Sequence, residues 1–222
     1  MMKITSEIYQ VGGSGLSASE DAAVYLVRFG DHAAVIDAGC GYSNETIIKN
    51  IKSCGVKSEQ VEYLFLTHCH FDHTGGADYI ADALQCKIVA HDLDAIYLEK
   101  GDNSVTAASW YGTTIKPFHV DLKISGSEKK FYLGEREIRV IHVPGHSPGS
   151  MVFLTESEGQ KILFGQDIHG PLDPGLLSDR DDYIKSLKLI SDLEADILCE
   201  GHFGIYRGRE KVKQFIESYI SE

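Results

Sequence analysis

Residues 61–66, Val-Glu-Tyr-Leu-Phe-Leu, read as a short buried strand, and it runs directly into Thr67-His68-Cys69-His70-Phe71-Asp72-His73. Four side chains able to ligate a metal therefore fall within six residues. In extended backbone alternate side chains point to one side, so His68 and His70 can reach a common ion. A continuous helix would set them about 200° apart around its axis, which rules that conformation out. The spacing predicts an extended segment through His70 and a turn into helix near Asp72, from which Asp72 and His73 face the same cavity at another angle. A chain built this way needs a rigid sheet whose strand ends open onto a shared cavity.

Three more candidates stand in matching places. His146 lies in Val143-Pro144-Gly145-His146-Ser147-Pro148-Gly149-Ser150, Asp167 in Leu163-Phe164-Gly165-Gln166-Asp167, and His202 in Ile197-Leu198-Cys199-Glu200-Gly201-His202. Each follows an apolar strand and has glycine or proline beside it, the way a sheet presents ligands from loops at its edge. Five His and two Asp exceed what one ion needs and suffice for two. Imidazole and carboxylate donors suit zinc, iron, manganese or cobalt.

The rest of the chain supplies the frame. Val24 to Phe29 and Ala33 to Ile36 read as a hairpin around Gly30-Asp31. Ser43 is placed to cap a helix ending near Ser53, with Ile47, Ile48 and Ile51 on one face and Gly55 beyond it. Ala77 to Leu84 and Leu93 to Glu99 read as helices, with Lys87 to Ala90 extended between them. Residues 101 to 127 have no clear period. Strands resume at Lys130 to Leu133, Glu137 to Val143, Met151 to Thr155 and Lys161 to Phe164. A helix over Tyr183 to Leu193, a short strand over Ile197 to Cys199 and a helix over Glu210 to Tyr219 close the chain. Strands interrupted by helices, twice over, point to two sheets faced with helices.

The bulk properties narrow the partners. At 222 residues with no linker, one domain spanning 1–222 is the simpler reading. A formal charge of −12 without a Lys/Arg cluster argues against nucleic acid and against anionic membrane surfaces, leaving a small-molecule substrate. A homodimer stays open. Five cysteines with no CxxC pair give no disulfide framework, and neither an apolar leader nor a long apolar run occurs, so cytoplasm is the default compartment.

The His-x-His-x-Asp-His segment, Gly-His-Ser-Pro-Gly-Ser, Gly-Gln-Asp and the closing Gly-His together resemble the metallo-β-lactamase superfamily, near its glyoxalase II-like and lactonase-like members. The resemblance runs from about Glu7 to His202. It implies an α/β fold, a four-layer αββα sandwich with the metals at one edge. By motif position it implies one ion on His68, His70 and His146 and a second on Asp72, His73 and His202, with Asp167 bridging. Both are divalent cations, zinc first and iron or manganese as alternatives. Asp37, in Ile-Asp-Ala-Gly, resembles the family's buried aspartate behind the ligands. The implied reaction is metal-assisted attack of hydroxide on a thioester, ester or lactone carbonyl, with Asp72 orienting the hydroxide and returning a proton.

The departures limit the substrate. Flavodiiron relatives carry Glu where this chain has His70. Only twenty residues follow His202, so the glutathione-binding extension of glyoxalase II is not expected. Lactonases place a Tyr shortly after the bridging Asp, where Ile168, His169 and Gly170 stand here. A mononuclear iron persulfide dioxygenase is the alternative reaction. Trp110 and Tyr111 are expected to wall the substrate from a loop over the metals, and His169 to line the pocket. Cys69, between two inward histidines, should point away. His32 and His119 read as ordinary, His142 as ordinary or supporting the site from behind, and His91 as a weaker site candidate.

Overall fold

The computed structural model describes residues 1–13, 15–165 and 167–220. The first sheet holds β1 (Met2–Lys3), β2 (Ile8–Gly12), β3 (Val24–Phe29), β4 (His32–Ile36), β5 (Val61–Phe65), β6 (Lys87–His91) and β7 (Leu122–Ile124). The second holds β8 (Glu128–Leu133), β9 (Arg136–His142), β10 (Met151–Ser157), β11 (Gln160–Gly165), β12 (Ile197–Glu200) and β13 (Ile205–Arg207). In both sheets the strands lie side by side in chain order. Helices intervene wherever neighbours are parallel, because a parallel return needs a long crossover. These are α1 (Asn44–Ser53) between β4 and β5, α2 (Phe71–Thr74) and α3 (Ala77–Leu84) between β5 and β6, α4 (Asp92–Lys100) between β6 and β7, and α5 (Arg180–Asp192) between β11 and β12. The chain ends on α6 (Arg209–Ser218).

The strands are apolar on both faces because both are covered. On β3, Val24 and Leu26 face the layer of α1, α3 and α4, while Tyr25 and Val27 face the other sheet. On β10, Met151 and Phe153 face the first sheet, while Val152 and Leu154 face α5 and α6. Three clusters thus separate four layers, the αββα order implied by the resemblance. Phe65 is fully buried at the joint of the sheets, 5.1 Å centroid to centroid from both Phe131 and Phe153. No helix of the described residues is long and apolar enough to cross a membrane.

Several local expectations meet their physical limits here. Gly30-Asp31 makes the expected two-residue turn, with Phe29 opposite His32. Ser43 stands at the start of α1, but its carbonyl rather than its side chain holds the first turn, accepting from the Thr46 and Ile47 N–H groups. β1, β2 and β13 add strands where no sequence signal was read. Residues 101–115 fold around side-chain anchors instead of a period, and the unread stretch beyond them includes β7. Asp102 accepts the Ser104 and Val105 N–H groups, Asn103 accepts that of Ile115, and one short 3-10 turn covers Ala108–Tyr111.

Candidate metal centre

Parallel strands deliver their carboxyl ends to one edge of the molecule, and loops there are free to carry chemistry. Asp37 follows β4, residues 67–74 follow β5, Asp167 follows β11 and His202 follows β12, while the β9–β10 loop brings His146. After β5 the backbone stays extended through His70 (φ −68°, ψ 148°) and then turns into α2, so Asp72 and His73 approach from a helix, as the spacing requires.

The seven candidates come together in two groups, each with donor atoms within 4.8 Å of one another: His68, His70, His146 and Asp167, and Asp72, His73, His202 and Asp167. Asp167 belongs to both. The rings of His68, His70 and His146 form a near-equilateral triangle with centroids 4.5, 4.6 and 4.7 Å apart. Asp167 Oδ2 lies 4.0 Å from His68 Nε2 and 3.6 Å from His146 Nε2. Its Oδ1 lies 3.1 Å from His73 Nε2 and 3.4 Å from His202 Nε2. Asp72 Oδ2 is 3.0 Å from His202 Nε2. All of these groups are buried except His202, whose side chain is 32% exposed.

What these atoms lack is as informative as what they touch. The Nε2 atoms of His68, His70 and His146 are buried without a hydrogen-bond partner, and His73 Nε2 and Asp167 Oδ1 approach each other at 3.1 Å without hydrogen-bond geometry. Unpaired buried polar atoms are rare and costly. Five converging on one cavity fit a divalent cation set. On two of these rings the opposite nitrogen donates to a fixed acceptor: His73 Nδ1 to Asp37 Oδ2 at 2.7 Å, and His146 Nδ1 to the Pro171 carbonyl at 3.1 Å. Each such bond fixes the tautomer and turns the Nε2 lone pair toward the cavity. Asp37 also accepts the Thr67 N–H and hydroxyl, at 2.8 and 2.9 Å, which locks the root of the ligand loop.

The electrostatics divide the same way. Burial, reinforced by neighbouring imidazoles, holds His68 and His70 below the usual histidine range, His70 at about 3; burial likewise lowers His146. The lowering favours the neutral imidazole, whose lone pair a metal needs. In the other group burial would lower His73 and His202, but the surrounding carboxylates override it. His73 rises well above its usual value and His202 to about 10. Burial opposes ionisation of Asp72 and Asp167, yet the imidazoles keep both carboxyls below the usual range. The cavity is strongly attractive to positive charge.

Trp110, Tyr111 and His169 line the pocket above the two groups. His169 Nδ1 is held 2.8 Å from Glu200 Oε1, and Glu200 also accepts the His202 and Phe203 N–H groups. Cys69 turns away into the helix-side cluster. His91 is buried and stacks on His142 at 3.9 Å, away from the pocket, and His142 donates to the Pro148 carbonyl in the His146 loop. His32 and His119 stand beside Glu62 and Glu99 at the surface. Gln166 lies outside the described residues.

Two features escaped sequence reasoning. Asp94, in the first turn of α4, accepts the Cys69 N–H at 2.9 Å, the Ser147 hydroxyl at 2.6 Å and the Gly149 N–H at 2.6 Å, tying the β5 loop to the His146 loop. Gly201 sits so close to the site that a Cβ would come within 2.3 Å of Asp167 Oδ1.

An αββα sandwich with two sets of His and Asp donors at its strand ends defines a metal-dependent hydrolase. The chain belongs to the metallo-beta-lactamase superfamily, whose family model matches residues 20–202. Among curated relatives it is 28% identical over 229 residues to acyl-coenzyme A thioesterase MBLAC2 of Gallus gallus, covering 90% of this chain and 79% of that protein. It is 26% identical over 208 residues to atrochrysone carboxyl ACP thioesterase of Aspergillus fumigatus, covering 93% of this chain and 58% of that protein. Among solved structures, the class B3 di-zinc metallo-beta-lactamase LRA-12 from an Alaskan soil metagenome superposes with a TM-score of 0.79 at 23% identity, covering 99% of this chain and 89% of that one.

Proposed function

We propose that this protein hydrolyses a small-molecule thioester, with esters and lactones as chemically related substrates, using two divalent cations, zinc first. The observation that carries the reading is the pair of donor groups sharing Asp167, with buried Nε2 atoms aimed inward and unpaired. His68, His70 and His146 would hold one ion and Asp72, His73 and His202 the other, with Asp167 serving both. Bound there, such ions supply Lewis acidity and an acidified water for attack on a carbonyl.

The chain's own groups do the rest. Asp72 lies at the pocket wall with its carboxylate kept ionised beside His202, in position to orient the attacking water and take up its proton. Asp37 and the Pro171 carbonyl hold the His73 and His146 rings in one tautomer. Trp110 and Tyr111 line the pocket over the site together with His169, which is steadied by Glu200. The thioesterase names of two relatives support the choice of a thioester. A mononuclear iron persulfide dioxygenase would leave the second donor group, with Asp37 behind His73, without a task.

The test is metal analysis together with a panel of thioesters and lactones on zinc- and manganese-loaded protein, beside glutathione persulfide on iron-loaded protein under oxygen. About two ions per chain and thioester turnover are expected. Oxygen consumption with persulfide and negligible hydrolysis across the panel would overturn the reading.

A further inference from the structure

The pocket over the donor groups has a polar floor and an apolar rim. Its cavity is about 170 Å³. That is below the roughly 300–1,000 Å³ of sites that enclose a whole ligand, so much of a larger substrate must lie outside it. Trp110, on the short turn at 108–111, is 57% exposed. Leu176 also lines the pocket, and its chain neighbour Leu177 is 43% exposed. Phe203 is 58% exposed and meets the His169 ring at 4.5 Å. Single exposed apolar side chains need no explanation. Trp110 lines the opening itself, Phe203 packs on the lining residue His169, and Leu177 follows the lining residue Leu176, so three exposed apolar side chains from separate loops stand next to the site.

The charge around the opening is equally one-sided. Among the described residues that line the pocket there is no Lys or Arg. The chain as a whole carries a formal −12. A carboxylate or phosphate held at the rim, apart from the His and Asp cluster, would leave water with no Lys or Arg among the lining residues to receive it.

We infer that the acyl part of the substrate is uncharged and apolar, and that it lies along the rim made by Trp110, Leu177 and Phe203. The inference rests on the hydrolase reading of the site and adds which end of the substrate the rim selects. It also sets acyl groups bearing a carboxylate outside the preferred substrates.

Trp110 is the only tryptophan of the chain, so its fluorescence reports the rim directly. The probes are ketone analogues of N-acetylcysteamine thioesters, with methylene in place of the sulfur so that they are not hydrolysed. Acetyl, hexanoyl, octanoyl and adipoyl analogues are titrated into the zinc-loaded protein. The dissociation constant should fall about tenfold or more from acetyl to octanoyl with a blue shift of Trp110 emission, since each buried methylene adds to binding. The adipoyl analogue, six carbons ending in a carboxylate, should bind at least about tenfold more weakly than hexanoyl. Phe203→Ala and Leu177→Ser should flatten the length dependence while metal content is retained. Equal binding along the series, or adipoyl binding as well as hexanoyl, overturns the inference. Thioester cleavage measured in parallel separates the two claims. Loss of cleavage with length dependence intact defeats the thioester reading and supports the rim. Efficient cleavage with no length dependence in binding does the reverse.

Discussion

Asp72 is the residue on which turnover should depend most directly. Asn is nearly isosteric but carries no charge and accepts no proton, so Asp72→Asn should lower kcat by about 10²-fold or more, the usual size of a general acid–base contribution. KM should move less, and an unchanged kcat would reduce Asp72 to a structural part. Asp94 poses a different question, because it is 1% exposed and does not line the pocket. Burial pushes its carboxyl up despite three donors. Asp94→Asn sets an NH₂ against one of those donors, and a buried group left unpaired costs about 1–3 kcal/mol. Urea denaturation should register that loss, and metal retention should weaken as the His146 loop loosens. A variant with wild-type stability and full metal content would show that the link between the two loops is dispensable.

At the level of elements, the sheets are joined through few large side chains. Phe65 on β5 meets Phe131 on β8 and Phe153 on β10. Phe65→Ala should cost about 3–5 kcal/mol, read as a shifted midpoint in urea, because a hole at the joint has little room to collapse. A loss below about 1 kcal/mol would mean that the joint is carried elsewhere. The elements around this core were legible because their residues carry their own signals: the apolar run before Thr67, the Ile47-Ile48-Ile51 face of α1, the turn at Gly30-Asp31. The ligand loops were legible because seven donor residues follow strand ends. β1 and β13 were not, since Met2–Lys3 is exposed and Ile205–Arg207 only partly buried at sheet edges, which leaves no alternation to read. The stretch from 101 to 115 takes its shape from the Asp102 and Asn103 side chains, and no period encodes that. Asp94 was invisible for a related reason, with partners 25, 53 and 55 positions away along the chain.

At the scale of the whole molecule, the donor groups straddle the two sheets. His68, His70, Asp72 and His73 follow β5, while His146, Asp167 and His202 come from the second half. A ligand that binds only the folded state adds about 2.7 kcal/mol when present at a hundred times its Kd. At about 2–4 °C per kcal/mol for a chain of this size, chelating one such ion should lower Tm by about 5–10 °C, measured by calorimetry with and without chelator. An unchanged Tm with demonstrated metal loss would mean that the halves hold together unaided. The thiols extend this to separate layers. Cys40, Cys54 and Cys69 lie between the first sheet and its helices, Cys199 lies between the sheets, and Cys86 is half-buried. Burial raises all five, Cys86 to about 12, so the native protein offers almost no thiolate. Alkylation then becomes a clock for breathing motions. Cys86 should be modified first, and Cys199 only at the rate of global opening, where each position can be timed by mass spectrometry. If Cys199 reacted as fast as Cys86, the seam between the sheets would be the loosest part of the molecule.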